Sequence, residues 1–142
     1  MCAHWNLAHI SPKNAIGRIS HTTDLWSDLN LDSYMAVTAH FMARDQNNYL
    51  VFRAHLIAFR FIGGPHSGAN LGQEFLKITD DLEISNKVRE ASQLCIIHTH
   101  TTMQLGQITM DNASNNNTLM AEIESELGRR GIPFDRDGNR LR

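Results

Sequence analysis

The chain lacks the raw material for several familiar kinds of protein. Its 142 residues hold two cysteines, Cys2 and Cys95. That is too few for a disulfide framework and too far apart for a Cys-x-x-Cys site, which fits a reducing compartment. No window approaches 18 consecutive apolar residues, and the N-terminus, Met1-Cys-Ala-His-Trp-Asn-Leu7, has neither a basic stretch nor an apolar one. Both features argue against a spanning helix and a secretory signal, so a soluble intracellular protein with no membrane contact is expected. An excess of one charge is missing too. Thirteen Lys and Arg stand against 15 Asp and Glu, a formal charge of −2 with a pI near 6.4. No overall basic field draws such a chain onto nucleic acid, so any DNA contact must rest on a local patch. One candidate closes the chain, where Arg129, Arg130, Arg136, Arg140 and Arg142 oppose Asp135 and Asp137. A solvated tail accounts for those charges equally well.

With 42% hydrophobic residues and this length, one domain with a real core is the default. Residues 1–17 carry no sustained period and read as an irregular leader. From Arg18 to Trp26 the β-branched run reads as a strand, with Thr22, Asp24 and Trp26 on one face and Ile19, His21, Thr23 and Leu25 on the other. Tyr34–Met42 reads as a second strand, of buried type. Asp45-Gln-Asn-Asn48 carries hairpin turn signals, and Tyr49–Ile62 is a long third strand ended by Gly63-Gly-Pro65. The period then changes. Leu71, Phe75, Ile78 and Leu82 share one face of a helix over about 68–82, packed on the sheet. Residues 84–104 read poorly, although Leu94–Thr102 has strand composition. Gln107–Met110 reads as a short buried strand. Leu119, Ile123 and Leu127 mark a helix over 118–130, with Glu122, Glu124 and Glu126 turned to solvent. Gly131 suits a left-handed stop before Pro133. The order β-β-β-α-β-α predicts an α/β domain, an antiparallel meander followed by a crossover to a strand parallel with the first.

The chemistry concentrates in Ile108-Thr-Met-Asp-Asn-Ala-Ser-Asn-Asn-Asn117. A strand here delivers Asp111 to its tip, with Asn112 or Ser114 capping the helix that follows. A carboxylate at that junction is a natural ligand for a hard cation with an open face, though Asp-Asn after a strand is also an ordinary turn. If the fourth strand lies beside the first, Asp24 meets Asp111, and two such acids can share a divalent ion for attack on a phosphodiester. His66 and Ser67, in a glycine-rich loop, could face phosphate or simply cap a helix. His98 and His100, two residues apart, are too few for a closed metal site. The methionines read as core filler.

Five blocks in collinear order, Thr22-Thr-Asp-Leu-Trp26, Asp32–His40, Pro65–Leu71, Thr109–Asn116 and Gly131–Leu141, resemble the hAT superfamily of DNA transposases, most closely its fungal members. The resemblance implies an RNase H-like catalytic core with an Asp-Asp-Glu triad. It makes Asp24 the first catalytic, metal-binding aspartate and Asp111 the second, with Mg²⁺ or Mn²⁺ as cofactor, DNA as ancestral substrate and a nuclear location. Trp26 matches the family's aromatic after the first aspartate, near DNA or in packing. Arg136 and Arg140 are further candidate DNA contacts.

Departures shape the expectation as much as matches. At Arg142 such transposases continue into a Cys-x-x-His segment, a helical insertion, the third acid and a dimerisation region, and a zinc-binding BED domain would precede residue 18. Glu122, Glu124 and Glu126 cannot replace the third acid, being on the helix next to Asp111. The expectation is therefore an incomplete RNase H-like core over 18–142, with about 86–105 a foreign insertion. It would be ancestrally a metal-dependent DNA strand-cleavage and transfer enzyme, inactive alone. The alternatives are a non-catalytic fragment that binds DNA or a full-length transposase, and a relic without function.

Overall fold

Alternation of inward and outward side chains builds the sheet. A computed structural model describes residues 11–29, 32–64, 67–85, 105–111 and 115–141. After a short 3-10 turn at Pro12–Asn14 come β1 (Ile19–Ser27), β2 (Ser33–Arg44), β3 (Leu50–Ile62), α1 (Gly68–Asp81), β4 (Leu105–Thr109), α2 (Asn115–Arg129) and β5 (Arg140–Leu141). The strands form one sheet in the order β3-β2-β1-β4-β5. β1, β2 and β3 are the expected antiparallel meander, and β4 pairs with β1 in parallel, as a crossover through α1 requires. In β1, Ile19, His21 and Thr23 are buried while Thr22, Asp24 and Trp26 face outward, as the alternation predicts.

β2 departs from its expected burial. Met35, Val37, Ala39, Phe41 and Ala43 enter the core, but Tyr34, Ala36, Thr38 and His40 are only half-buried. The near-continuous apolar run hides an ordinary two-sided strand, because both described helices lie on one face and nothing among the described residues covers the other. The β2–β3 hairpin closes on Asp45, whose Oδ1 accepts from the backbone N–H groups of Asn47 and Tyr49, both at 2.9 Å. Asn48 supplies the left-handed residue, at φ 67°.

α1 buries Leu71, Phe75 and Ile78, the stripe read from their spacing, with Leu82 packed at its edge. Ser67 caps it, its Oγ accepting from Asn70 N–H at 3.3 Å, so the plain capping role holds for this residue. α2 buries Leu119, Met120, Ile123 and Leu127 against the same core. The two helices meet at Gly68, where a Cβ would stand 2.3 Å from the Asn115 carbonyl oxygen, so only glycine allows this approach. Burying Phe75 alone contributes about 2–3 kcal/mol.

Three parts of the C-terminal half differ from the expectation. α2 starts at Asn115, three residues earlier than its apolar spacing indicates. Its glutamates are half-buried and engaged rather than turned to solvent. Glu122 accepts from Gln73 Nε2 at 3.2 Å, Glu124 from the Arg136 backbone N–H at 3.1 Å, and Glu126 from Arg130 Nε at 2.9 Å. The supposed tail is a fifth strand, hung on β4 by the turn at 135–139. Asn139 accepts through its carbonyl from Ile108 N–H at 2.7 Å and donates through Nδ2 to the Gly106 carbonyl at 3.0 Å. Gly131 takes the predicted left-handed stop, at φ 70°. The readings on residues 1–10, 86–104 and 112–114, on His66 and on Arg142 lie outside the described residues. They include the histidine pair, the suggested insertion and the Asn112 and Ser114 caps.

The outer face of β1, β2 and β3 is apolar. Trp26 stacks on Tyr34 with ring centroids 6.1 Å apart, and Phe59 touches both. Phe52, Leu56, Phe59 and Phe61 each keep more than half their area exposed.

Candidate catalytic site at the β1–β4 tip

The register of two parallel strands decides whether the two aspartates meet. Ile19 pairs with Leu105, but His21 pairs with Ile108 and Thr22 with Thr109. β4 therefore carries one extra residue between those pairs, a bulge at Gly106 and Gln107. Continued from Ile19 without the bulge, Asp24 would stand level with Met110. With it, the position two residues beyond Thr22 is level with the position two residues beyond Thr109, and these are Asp24 and Asp111. Gly106 permits the bulge to hug β1, since a Cβ there would lie 3.0 Å from the Ile19 carbonyl oxygen.

Met110 remains in the core, 6% exposed, and Asp111 emerges at the strand tip. Asn116, in the first turn of α2, clamps it. Its Nδ2 donates to the Asp111 carboxylate Oδ1 at 2.7 Å and to the Asp111 carbonyl at 2.6 Å. Asn116 is 1% exposed, and its Oδ1 has no hydrogen-bond partner among the described residues. Asp24 is exposed on the outer face, opposite Ala36 of β2. Trp26, 40% exposed, borders a cavity of about 180 Å³ together with Ser27, Ser33, Asp111, Asn115 and Asn116.

Carboxylate oxygens at one level of neighbouring strands are the donors that Mg²⁺ and Mn²⁺ take, and their exposure leaves room for the waters Mg²⁺ retains. Asp24 and Asp111 are the two acids that the register brings level, and each is exposed. Among the described residues no group of three acidic, histidine or cysteine side chains gathers.

Arg136 and Arg140 do not join this site. They line a separate cavity of about 300 Å³ with Asn117, Met120 and Asp137, between α2 and β5. Among the described residues, His21, on the core face of β1, is the most perturbed titratable group: burial, aided by nearby His40, lowers its pKa to about 4. Its ring meets Phe75 edge-on at 5.4 Å, and neither nitrogen has a partner among the described residues. Sequence reasoning missed Asn116 and Gly106. The signal for Asn116 was an amide one turn into the helix after the acid; for Gly106, a glycine inside a strand run.

A mixed five-stranded sheet in this order, with two helices on one face, defines an incomplete RNase H-like domain. The model of the ZBED1 RNase-like domain family matches residues 22–93, half of the chain, and the chain belongs to that family. It is 27% identical over 110 residues to a Talaromyces stipitatus protein described as the transcriptional regulator tpeD, covering 78% of this chain and 10% of that protein. It is also 27% identical over 115 residues to two Zea mays proteins described as the AC and AC9 transposases, covering 81% of this chain and 12% and 11% of theirs. The chain is thus hAT-type transposase-like, and it spans about a tenth of the length of these relatives. Among the described residues no helix is long and apolar enough to cross a membrane.

Proposed function

We propose that the chain belongs to a hAT-type transposase catalytic core, in which Asp24 and Asp111 hold one Mg²⁺ or Mn²⁺ ion. The single observation carrying this reading is the bulged register that brings the two acids to one level. When bound, the ion supplies Lewis-acid stabilisation and an activated water for attack on a DNA phosphodiester. The chain's own residues bind and orient: Asp24 and Asp111 hold the cation, and Asn116 fixes the Asp111 rotamer. Trp26 walls the cavity beside it. With Asp24 and Asp111 as its two ligands among the described residues, the ion is held weakly, and the chain alone does not cut DNA. The similarity to two maize proteins described as transposases supports DNA as substrate, and with it the nucleus as location.

The test is Mn²⁺ binding followed by electron paramagnetic resonance, beside a supercoiled-plasmid nicking assay. Wild type should bind Mn²⁺, Asp24→Asn and Asp111→Asn should not, and no variant should nick. Absent Mn²⁺ binding removes the site, and nicking abolished by Asp111→Ala removes the claim of inactivity.

A second reading is favoured by the uncovered aromatic face of the sheet. In it the chain is a non-catalytic module that docks on DNA or on a longer transposase. An apolar patch with Asp24 near one end and Arg44 near the other suits a protein surface better than a polyanion. Retention of full-length transposase on the immobilised chain, lost in Phe59→Lys, supports this reading; retention unchanged by Phe59→Lys rules it out.

A further inference from the structure

The cavity between α2 and β5 is built around two guanidinium groups, yet it lies apart from the aspartates. Arg140 sits on β5 opposite Ile108 and donates from Nη1 to Asn117 Oδ1. Its Nε is enclosed and has no hydrogen-bond partner among the described residues. Arg136 approaches Glu124 and Asp137, each at 3.9 Å, the outer limit of an ion pair, so neither carboxylate holds it firmly. Arg136 lies in the turn at 135–139, and Arg140 follows it directly on β5. Asp135 Oδ1 accepts from the N–H groups of Asp137 and Gly138, both at 2.8 Å, and Asn139 pins the turn to β4. The cavity, about 300 Å³, is lined by side chains that this turn, β5 and α2 carry.

We infer that this cavity is a phosphate-binding subsite for the DNA backbone, with Arg140 as its anchor and Arg136 and Asn117 as its walls. Arg140 Nε is enclosed, so the contact falls to the terminal guanidinium nitrogens of Arg140 and to Arg136, which exchanges two long contacts for one short one. Asp137 opposes the anion and limits affinity, so Arg140 carries most of the contact. The position relative to the aspartates supports a backbone contact. Consecutive residues of α2 serve the two places, Asn116 bonded to Asp111 and Asn117 bonded to Arg140. A strand whose phosphodiester lies at Asp24 and Asp111 can set a neighbouring phosphate in this cavity. The choice of DNA rests on the reading above, whereas the anion site does not.

Fluorescence anisotropy with a labelled single-stranded oligonucleotide, in EDTA so that no metal is bound, tests the subsite. Arg140→Gln should weaken binding about 3- to 10-fold, and the slope of log affinity against log salt should fall by about one. Arg129→Gln removes the same charge outside the cavity and should change neither. Thermal melts establish that each variant folds. Inorganic phosphate alone should raise the melting temperature of wild type and not of Arg140→Gln. Equal losses for Arg140→Gln and Arg129→Gln overturn the proposal, as does phosphate stabilisation without oligonucleotide binding, which would mark a free-phosphate site. Arg140→Gln should still bind Mn²⁺. Asp111→Asn should still bind DNA in EDTA, so the metal site and the subsite fail separately.

Discussion

Acidification should destabilise this domain through one histidine. His21 is neutral in the native core, its pKa lowered from 6.5 to about 4 by burial first and by His40 second. In the unfolded chain it titrates near 6.5. Between those values the unfolded state binds the extra proton, so stability is complete above about pH 6.5 and declines as pH falls toward 4. Below that the native ring is also protonated and this contribution is flat. At about 1.4 kcal/mol per unit the loss is about 3 kcal/mol, or a fall in Tm of about 10 °C for a domain of this size. The assay is thermal and urea unfolding at pH 7.5, 6.5, 5.5 and 4.5, for wild type and His21→Met. Methionine fills the space under Phe75 without a proton to take up, and at pH 7.5 no hydrogen bond of the ring is lost, so the variant should be at least as stable as wild type. Between pH 6.5 and 4.5 it should hold its stability while wild type loses it. Parallel decline of the two proteins would refute the reasoning, because the proton would then be going elsewhere.

Three further outcomes follow from single contacts. Asn116→Ala removes the two amide bonds that orient Asp111 and should weaken Mn²⁺ binding about 10-fold or more, at a stability cost of about 1–3 kcal/mol, read by metal titration and urea unfolding. Gly68→Ala drives a methyl onto the Asn115 carbonyl, 2.3 Å away, and should destabilise by about 1–3 kcal/mol, whereas Gly128→Ala, with open space at its Cβ, should be neutral or slightly stabilising in the same melts. Arg130 joins the helices through Asp80, at 2.8 Å, but the pair is partly solvated, so Arg130→Gln should cost less than about 1 kcal/mol, and less again in high salt.

What could be read from the sequence was whatever repeats locally. Ile19, His21 and Thr23 alternate with Thr22, Asp24 and Trp26, and Leu71, Phe75 and Ile78 recur at helical spacing, so β1 and α1 are written in their own residues. The outward direction of Asp24 follows from the same alternation. β2 misled because composition reports how apolar a strand is and not which layers exist to cover it. Ala36 and Thr38 are small enough to sit on an open face at little cost. β5 left no trace, since two residues show no period, and Arg140 is held there by Asn139 reaching Gly106, 33 positions earlier in the chain.

The site itself was legible in part, for a reason that the bulge makes plain. Residue types and order identify two acids on two strands, but whether the acids meet depends on pairing across the chain, where a single inserted residue moves Asp111 by one step relative to Asp24. In a parallel pair one step turns a side chain to the opposite face. Without the extra residue near Gly106, Met110 would stand beside Asp24 and Asp111 one step beyond it. The glycine that looks like a weakness in a short strand is thus what lets β4 approach β1 closely enough to carry the bulge. Gly106→Val should therefore reduce Mn²⁺ binding by more than its effect on stability explains, because it disturbs the register that aligns Asp24 with Asp111 as well as the packing that supports them.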